Sequence, residues 1–87
     1  MGNHVKRLGG GKLSDQEFER AKAMVLVHLA GHDSITNREI RALSQLNYDQ
    51  AIICFNRMIA DGLLIRIGKT TTTKYLLRAV QQQLISE

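Results

Sequence analysis

The fold is decided by residues 35–77, which read ITNREIRALSQLNYDQAIICFNRMIADGLLIRIGKTTTTKYLL. Thr36 and Glu39 have the spacing of a capping box, in which both side chains accept hydrogen bonds from amides that a helix start leaves unpaired. The box predicts a short helix from about Asn37 to Ser44.

Apolar residues around this helix predict how it packs. Ile35 precedes the cap and Ile40 follows the cap by four residues, which is the arrangement of a hydrophobic staple. Ile40 and Leu43 are spaced to face inward together, and Leu46 is the apolar residue of a tight turn after the helix.

A third helix is predicted from the cap Asn47 through Asp61, because Gly62 can take the positive φ that closes a helix. At about 100° per residue its apolar residues share one side and its polar residues the other. The expected core side is Tyr48, Ala51, Phe55, Met58 and Ile59, with Cys54 beside it, and the expected outer side is Asp49, Gln50, Ile53, Asn56, Arg57 and Ala60.

A β-hairpin is predicted after Gly62. Two runs rich in branched and aromatic residues, 63–67 and 75–77, flank a polar loop that opens with Gly68 and contains four threonines.

A first helix is predicted from a second capping box, Ser14 to Glu17, to about Ala30, before Gly31. Its core stripe consists of Phe18, Ala21, Val25 and Leu29, while Ala23, Met24 and Val27 form a second apolar side.

The two ends of the chain differ from this central part. Residues 1–12 combine three glycines in a row with almost no hydrophobic residue, which predicts a flexible basic arm. Residues 79–86 predict a last short helix, since Leu77, Val80 and Leu84 share a face. Residues 13–87 are therefore expected to form a single domain.

Composition limits the class of protein. With 87 residues there is room for one modest core, and no apolar run reaches the roughly 18 residues of a membrane-spanning helix. We expect a soluble cytoplasmic protein, because Cys54 is the only cysteine and no secretory signal follows Lys6 and Arg7. The net charge of +4 is concentrated in residues 1–12 and 63–78, which contain no acidic residue.

The order of elements and the segments Ile35–Ile40, Leu46–Asn47 and Met58–Leu64 resemble the winged helix-turn-helix superfamily. The likeness covers residues 35–77 and is closest to the C-terminal wing domains of RecG-like and Fic-type bacterial proteins, which also continue into a glycine-lysine loop like Gly68-Lys69. It implies an α+β, mainly α fold with three helices, a β-hairpin wing and a short C-terminal helix.

The resemblance also implies a function. In this superfamily the third helix enters the major groove of DNA and the wing lies on the backbone, so double-stranded DNA is the expected partner and transcription regulation the expected role. Arg57 is the one basic residue expected on the outer side of the third helix, which makes the wing the stronger contact. The candidate DNA-binding residues are Arg38, Asn47, Tyr48, Gln50, Ile53, Asn56, Arg57, Arg66, Lys69, Thr70, Thr71 and Lys74.

Two questions stay open at this point. Ile53 on the outer side of the third helix could contact a thymine methyl group, hold a protein partner or have no role. The alternative function is a protein-protein interaction winged helix without sequence-specific DNA binding, which would hold its partner through Ile53 and the second apolar side of the first helix. Four apolar residues are expected to be buried against another surface, either a second copy of the chain in a homodimer or each other within one chain. They are Met24, Val27, Val80 and Leu84.

Three possible chemical signals fail on spacing or context, so no enzymatic activity, cofactor or metal is expected. Gly68-Lys69-Thr70 does not complete a phosphate-binding loop, because five residues separate Gly62 from Gly68 where four are required. His28 and His32 lack a third ligand, and Cys54 is expected to be a small buried hydrophobe.

Overall fold

The computed structural model describes residues 12–69 and 72–78. The described chain folds as three helices followed by a two-stranded antiparallel hairpin, which confirms the predicted α+β, mainly helical, winged-helix-like layout. The elements are α1 (Asp15–Gly31), α2 (Asn37–Ser44), α3 (Tyr48–Ala60), β1 (Leu64–Ile67) and β2 (Lys74–Leu77). The predicted arm up to residue 11 and the predicted last helix, 79–86, lie outside the described residues.

Each of the three helices begins with a complete capping box. The boxes at Ser14 and Thr36 are the predicted ones, and Asn47, predicted as a cap, forms a third box with Gln50. In that third box the Asn47 side chain accepts from the Gln50 amide at 2.8 Å, and the Gln50 side chain accepts from the Asn47 amide at 3.0 Å. Local sequence therefore fixes where every described helix starts.

The turns between elements depend on left-handed backbone at two positions in particular. Gln45, between α2 and α3, has φ 66° and delivers the buried Leu46 into the core. Gly68, at the start of the hairpin loop, has φ 83°, and a Cβ there would collide with the Thr72 carbonyl. The hairpin loop therefore needs glycine for both its conformation and its close approach.

The hydrophobic core lies where the three helices meet the hairpin. Its centre is the stacked pair Phe55 and Tyr75, whose ring centroids are 3.8 Å apart and which join α3 to β2. The buried hydrophobic residues are Phe18, Ala21, Val25, Leu29, Ile35, Ile40, Leu46, Ala51, Cys54, Phe55, Met58, Leu64 and Tyr75.

A third, single-residue strand extends the hairpin. Ile35 pairs antiparallel with Tyr75 through two backbone hydrogen bonds of 2.9 Å, so β2 lies between Ile35 and β1. Sequence analysis predicted Ile35 only as part of a hydrophobic staple. The bridge anchors the start of α2 to the hairpin, which fixes the hairpin relative to the helix-turn-helix.

The prediction that Leu43 faces inward is wrong. Leu43 is 45% exposed, and Ser44 takes the inward position one turn after Ile40. Burial of Ser44 is tolerated because its hydroxyl donates to the Ile40 carbonyl at 2.6 Å and accepts from the Leu46 amide at 3.4 Å.

Candidate nucleic-acid interface

The outer side of α3 is the surface that a DNA-binding helix would present. Asp49, Asn56 and Ala60 are exposed there, as predicted. One acidic residue and one amide offer few hydrogen-bond donors to base edges. The described outer side of α3 is therefore poor in groups that read sequence.

One edge of α3 contacts residues just before and at the start of α1, which corrects the predicted outer side. Gln50, Ile53 and Arg57 repeat at helical spacing along this edge and are all partly buried. The Gln50 side-chain amide donates to the Lys12 carbonyl at 3.1 Å, at one end of the edge. Ile53 is partly buried and is therefore not the exposed residue that sequence analysis expected.

Arg57 is engaged by α1 at the other end of this edge. Its Nη1 lies 3.4 Å from the Asp15 carboxylate, and its guanidinium sits 3.9 Å from the centroid of the Phe18 ring. A cation paired with a carboxylate and held over an aromatic face has less of its charge available to a phosphate. The one arginine of α3 therefore serves contacts within the domain.

Tyr48 is more exposed than predicted, whereas Ile53 is less exposed. Tyr48 was expected in the core, yet it is 57% exposed, because it is the first residue of α3 and lies beyond the end of the buried stripe. The Arg41 guanidinium carbon lies 5.7 Å from the centroid of its ring. An exposed aromatic ring therefore stands beside a cation where α2 and α3 meet.

Arg41 is a candidate that sequence analysis missed. Its Nε donates to the Asn37 side-chain oxygen at 2.6 Å, and Asn37 in turn donates to the Tyr48 carbonyl at 3.4 Å. The exposed Arg38 lies three positions earlier on α2. That spacing of two arginines on a short helix was a usable signal.

The hairpin carries the exposed positive charge predicted for the wing. Arg66, Lys69, Lys74 and Arg78 are all exposed, and residues 63–78 contain no acidic residue. Thr72 closes the loop, since its amide donates to the Lys69 carbonyl at 2.9 Å. The predicted contacts Thr70 and Thr71 lie outside the described residues.

The predicted dimer surface on α1 is present in part. Val27 is 74% exposed and Ala23 is exposed, whereas Met24 is partly buried. The other two predicted members of this surface, Val80 and Leu84, lie outside the described residues.

Cys54 is a residue of α3 and is fully buried in the hydrophobic core. Burial raises the pKa of its thiol to about 11, although the nearby Arg57 charge acts to lower it. A thiol that stays protonated at neutral pH is a weak nucleophile, so Cys54 functions as the buried hydrophobe that sequence analysis expected.

His28 and His32 are stacked at the end of α1, with ring centroids 4.0 Å apart and an interplanar angle of 7°. Parallel stacked rings direct their nitrogen lone pairs side by side, so the two imidazoles do not converge on one ion. His28 Nε2 lies 3.8 Å from the Glu39 carboxylate, and His32 Nδ1 lies 2.9 Å from the His28 carbonyl. In the part of the chain that is described, no three acidic, histidine or cysteine side chains are grouped to hold a metal.

Comparison with protein-family models and with curated proteins identifies no relative of this chain. No protein-family model matches the chain, and no curated protein matches it. Among the helices within residues 12–69 and 72–78, none combines the length and apolar character needed to cross a membrane.

Proposed function

We propose that this protein is a non-enzymatic DNA-binding module that holds duplex DNA between α2 and the hairpin wing. The observation that carries the proposal is the placement of cations on α2 and the hairpin, which are two of the elements that pack against α3. These cations are Arg38 and Arg41 of α2, with Arg41 partly buried, and Arg66, Lys69 and Lys74 of the hairpin and its loop.

The binding mode follows from the contrast between these elements and α3 itself. Cations on α2 and the wing would contact phosphates, which gives affinity without sequence information. On the described outer side of α3, Asn56 is the side chain suited to an adenine edge, and Asp49 repels phosphate. The expected binding is therefore dominated by the DNA backbone, with weak sequence preference.

The cellular role that fits this chemistry is a small cytoplasmic transcription regulator or the DNA-binding part of a larger bacterial protein. Both roles use the same surface. The proposal assigns no cofactor, because a phosphate-binding surface of this kind needs only the side chains themselves.

The experiment that tests the proposal is fluorescence anisotropy with a random-sequence duplex at two salt concentrations. Five phosphate contacts predict that affinity falls by about 500-fold between roughly 50 mM and 200 mM monovalent salt, because each contact releases counterions. Affinity that does not change with salt, or absence of binding at the lower salt concentration, would end the proposal.

A second candidate function is self-association through α1, which the exposure of Val27 favours. Ala23 and Ala30 flank Val27 on the exposed side of the helix and are small enough to allow close approach of another helix. The occupant proposed for this surface is therefore a second copy of the chain.

Light scattering tests this second candidate independently of DNA. The wild-type chain is expected to show the mass of a dimer at high concentration, and Val27→Asp is expected to shift it to a monomer, because a carboxylate would be buried in the apolar interface. Ala42→Asp on the exposed side of α2 is the matched control. A monomer mass for the wild-type chain at high concentration would exclude the homodimer.

A further inference from the structure

We infer that Arg41 is a phosphate-binding residue that Asn37 and Tyr48 hold in position before DNA arrives. This inference rests on the proposed function, which counts Arg41 among its cations, and adds that neighbouring residues hold the Arg41 side chain in place for the contact. The ligand is a phosphodiester of the DNA backbone close to the start of α3.

The Arg41 side chain is fixed by contacts along α2. Its Nε donates to the Asn37 side-chain oxygen at 2.6 Å and lies 3.4 Å from the Asn37 backbone carbonyl. Both contacts involve Nε, so they orient the guanidinium plane without using its two terminal nitrogens. Among the described residues, the structure gives these terminal nitrogens no hydrogen-bond acceptor.

Two further contacts join Arg41 and Asn37 to α3. The Asn37 amide donates to the Tyr48 carbonyl at 3.4 Å, and the Arg41 guanidinium lies against the Tyr48 ring at 5.7 Å. Tyr48 is the first residue of α3, so the position of Arg41 is tied to the helix that the proposal places at the DNA.

No carboxylate among the described residues compensates the charge of Arg41. Arg57 pairs with Asp15, whereas Arg41 is held by a neutral amide and an aromatic ring. No ion pair within the described residues includes Arg41. A planar, pre-oriented guanidinium with its full charge suits a phosphate, because little side-chain freedom is lost when the contact forms.

The experiment measures duplex affinity and its salt dependence for three variants. Arg41→Gln is expected to weaken binding about tenfold at roughly 100 mM salt and to reduce the slope of log affinity against log salt by about one, since one phosphate contact is lost. Asn37→Ala keeps the charge of Arg41 but removes the contact that holds the Arg41 side chain. It is therefore expected to weaken binding about threefold while the slope is retained.

Arg20→Gln provides the matched control, because Arg20 is exposed on the side of α1 opposite its core stripe. It removes the same charge and is expected to leave the slope unchanged. Arg41→Lys keeps a charge in a smaller donor and is expected to retain the slope with intermediate affinity. Circular dichroism of each variant confirms that α2 is still folded.

The outcomes separate this inference from the proposed function. A wild-type chain that binds duplex while Arg41→Gln behaves like Arg20→Gln would overturn the inference and leave the proposed function standing. Asn37→Ala with unchanged affinity would overturn the positioning role. A wild-type chain that does not bind duplex would overturn both.

Discussion

Replacement of Lys69 and Lys74 together by glutamate is expected to weaken duplex binding by on the order of 100-fold at about 100 mM salt. Both residues are exposed at the hairpin, in a stretch that contains no acidic residue. Each substitution removes a phosphate contact and places a carboxylate near the DNA, so loss of attraction and new repulsion add. Fluorescence anisotropy with a random-sequence duplex measures the change.

The control for this double variant is Arg20→Glu combined with Lys22→Glu on α1. It changes the net charge of the chain by the same amount but alters α1, which carries none of the proposed phosphate contacts. If binding depended on net charge alone, both double variants would lose affinity equally. That equality would contradict the account, because it would remove the wing as the contact.

Phe55→Ala is expected to destabilise the domain by about 3–5 kcal/mol, through lost burial and the cavity left behind. Phe55 is fully buried and stacks on Tyr75 at 3.8 Å, and Tyr75 in turn pairs with Ile35. One side chain thus connects α3, the hairpin and the start of α2. Urea denaturation followed by circular dichroism measures the free energy of unfolding.

Because a domain of this size has a total stability of roughly 4–13 kcal/mol, Phe55→Ala could be largely unfolded. Phe55→Leu keeps most of the volume and is expected to cost about 1–2 kcal/mol, which leaves a measurable transition. A Phe55→Leu chain as unstable as the alanine variant, or an alanine variant that loses less than about 1 kcal/mol, would contradict the central position given to this ring.

Sequence analysis was reliable where structure depends on neighbouring residues. The capping residues Ser14, Thr36 and Asn47 predicted the helix starts, because a cap and its partner are three residues apart. Gly62, with φ 81°, predicted the end of α3 for the same local reason.

Sequence analysis failed where exposure depends on distant parts of the chain. Ile53 was predicted to be exposed, but it is partly buried on the edge of α3 where Gln50 contacts Lys12 and Arg57 contacts Asp15. Tyr48 was placed in the core from its helical angle, although the core does not extend to the first residue of the helix. Helical periodicity gives the direction of a side chain and not the length of the surface that packs against it.

Part of the candidate site was predicted from the sequence and part was not. Charge counting located the wing residues Arg66, Lys69 and Lys74, because a run without acidic residues is visible in the sequence. The Arg41 cluster was not found, since it depends on how α2 meets α3 and on the contact between Asn37 and Tyr48. Arg57 was predicted at the DNA and is instead bound to Asp15, a partner 42 positions away in the chain.

The central claim is that duplex DNA contacts the side of the domain formed by α2, the start of α3 and the hairpin. An ¹H–¹⁵N correlation titration of the whole chain with a short random-sequence duplex tests it most directly. The account predicts that the largest amide shift changes occur in residues 37–41, 47–56 and 66–74, while Ala23 and Val27 on α1 stay unchanged. Changes concentrated on α1, with the hairpin unaffected, would contradict it.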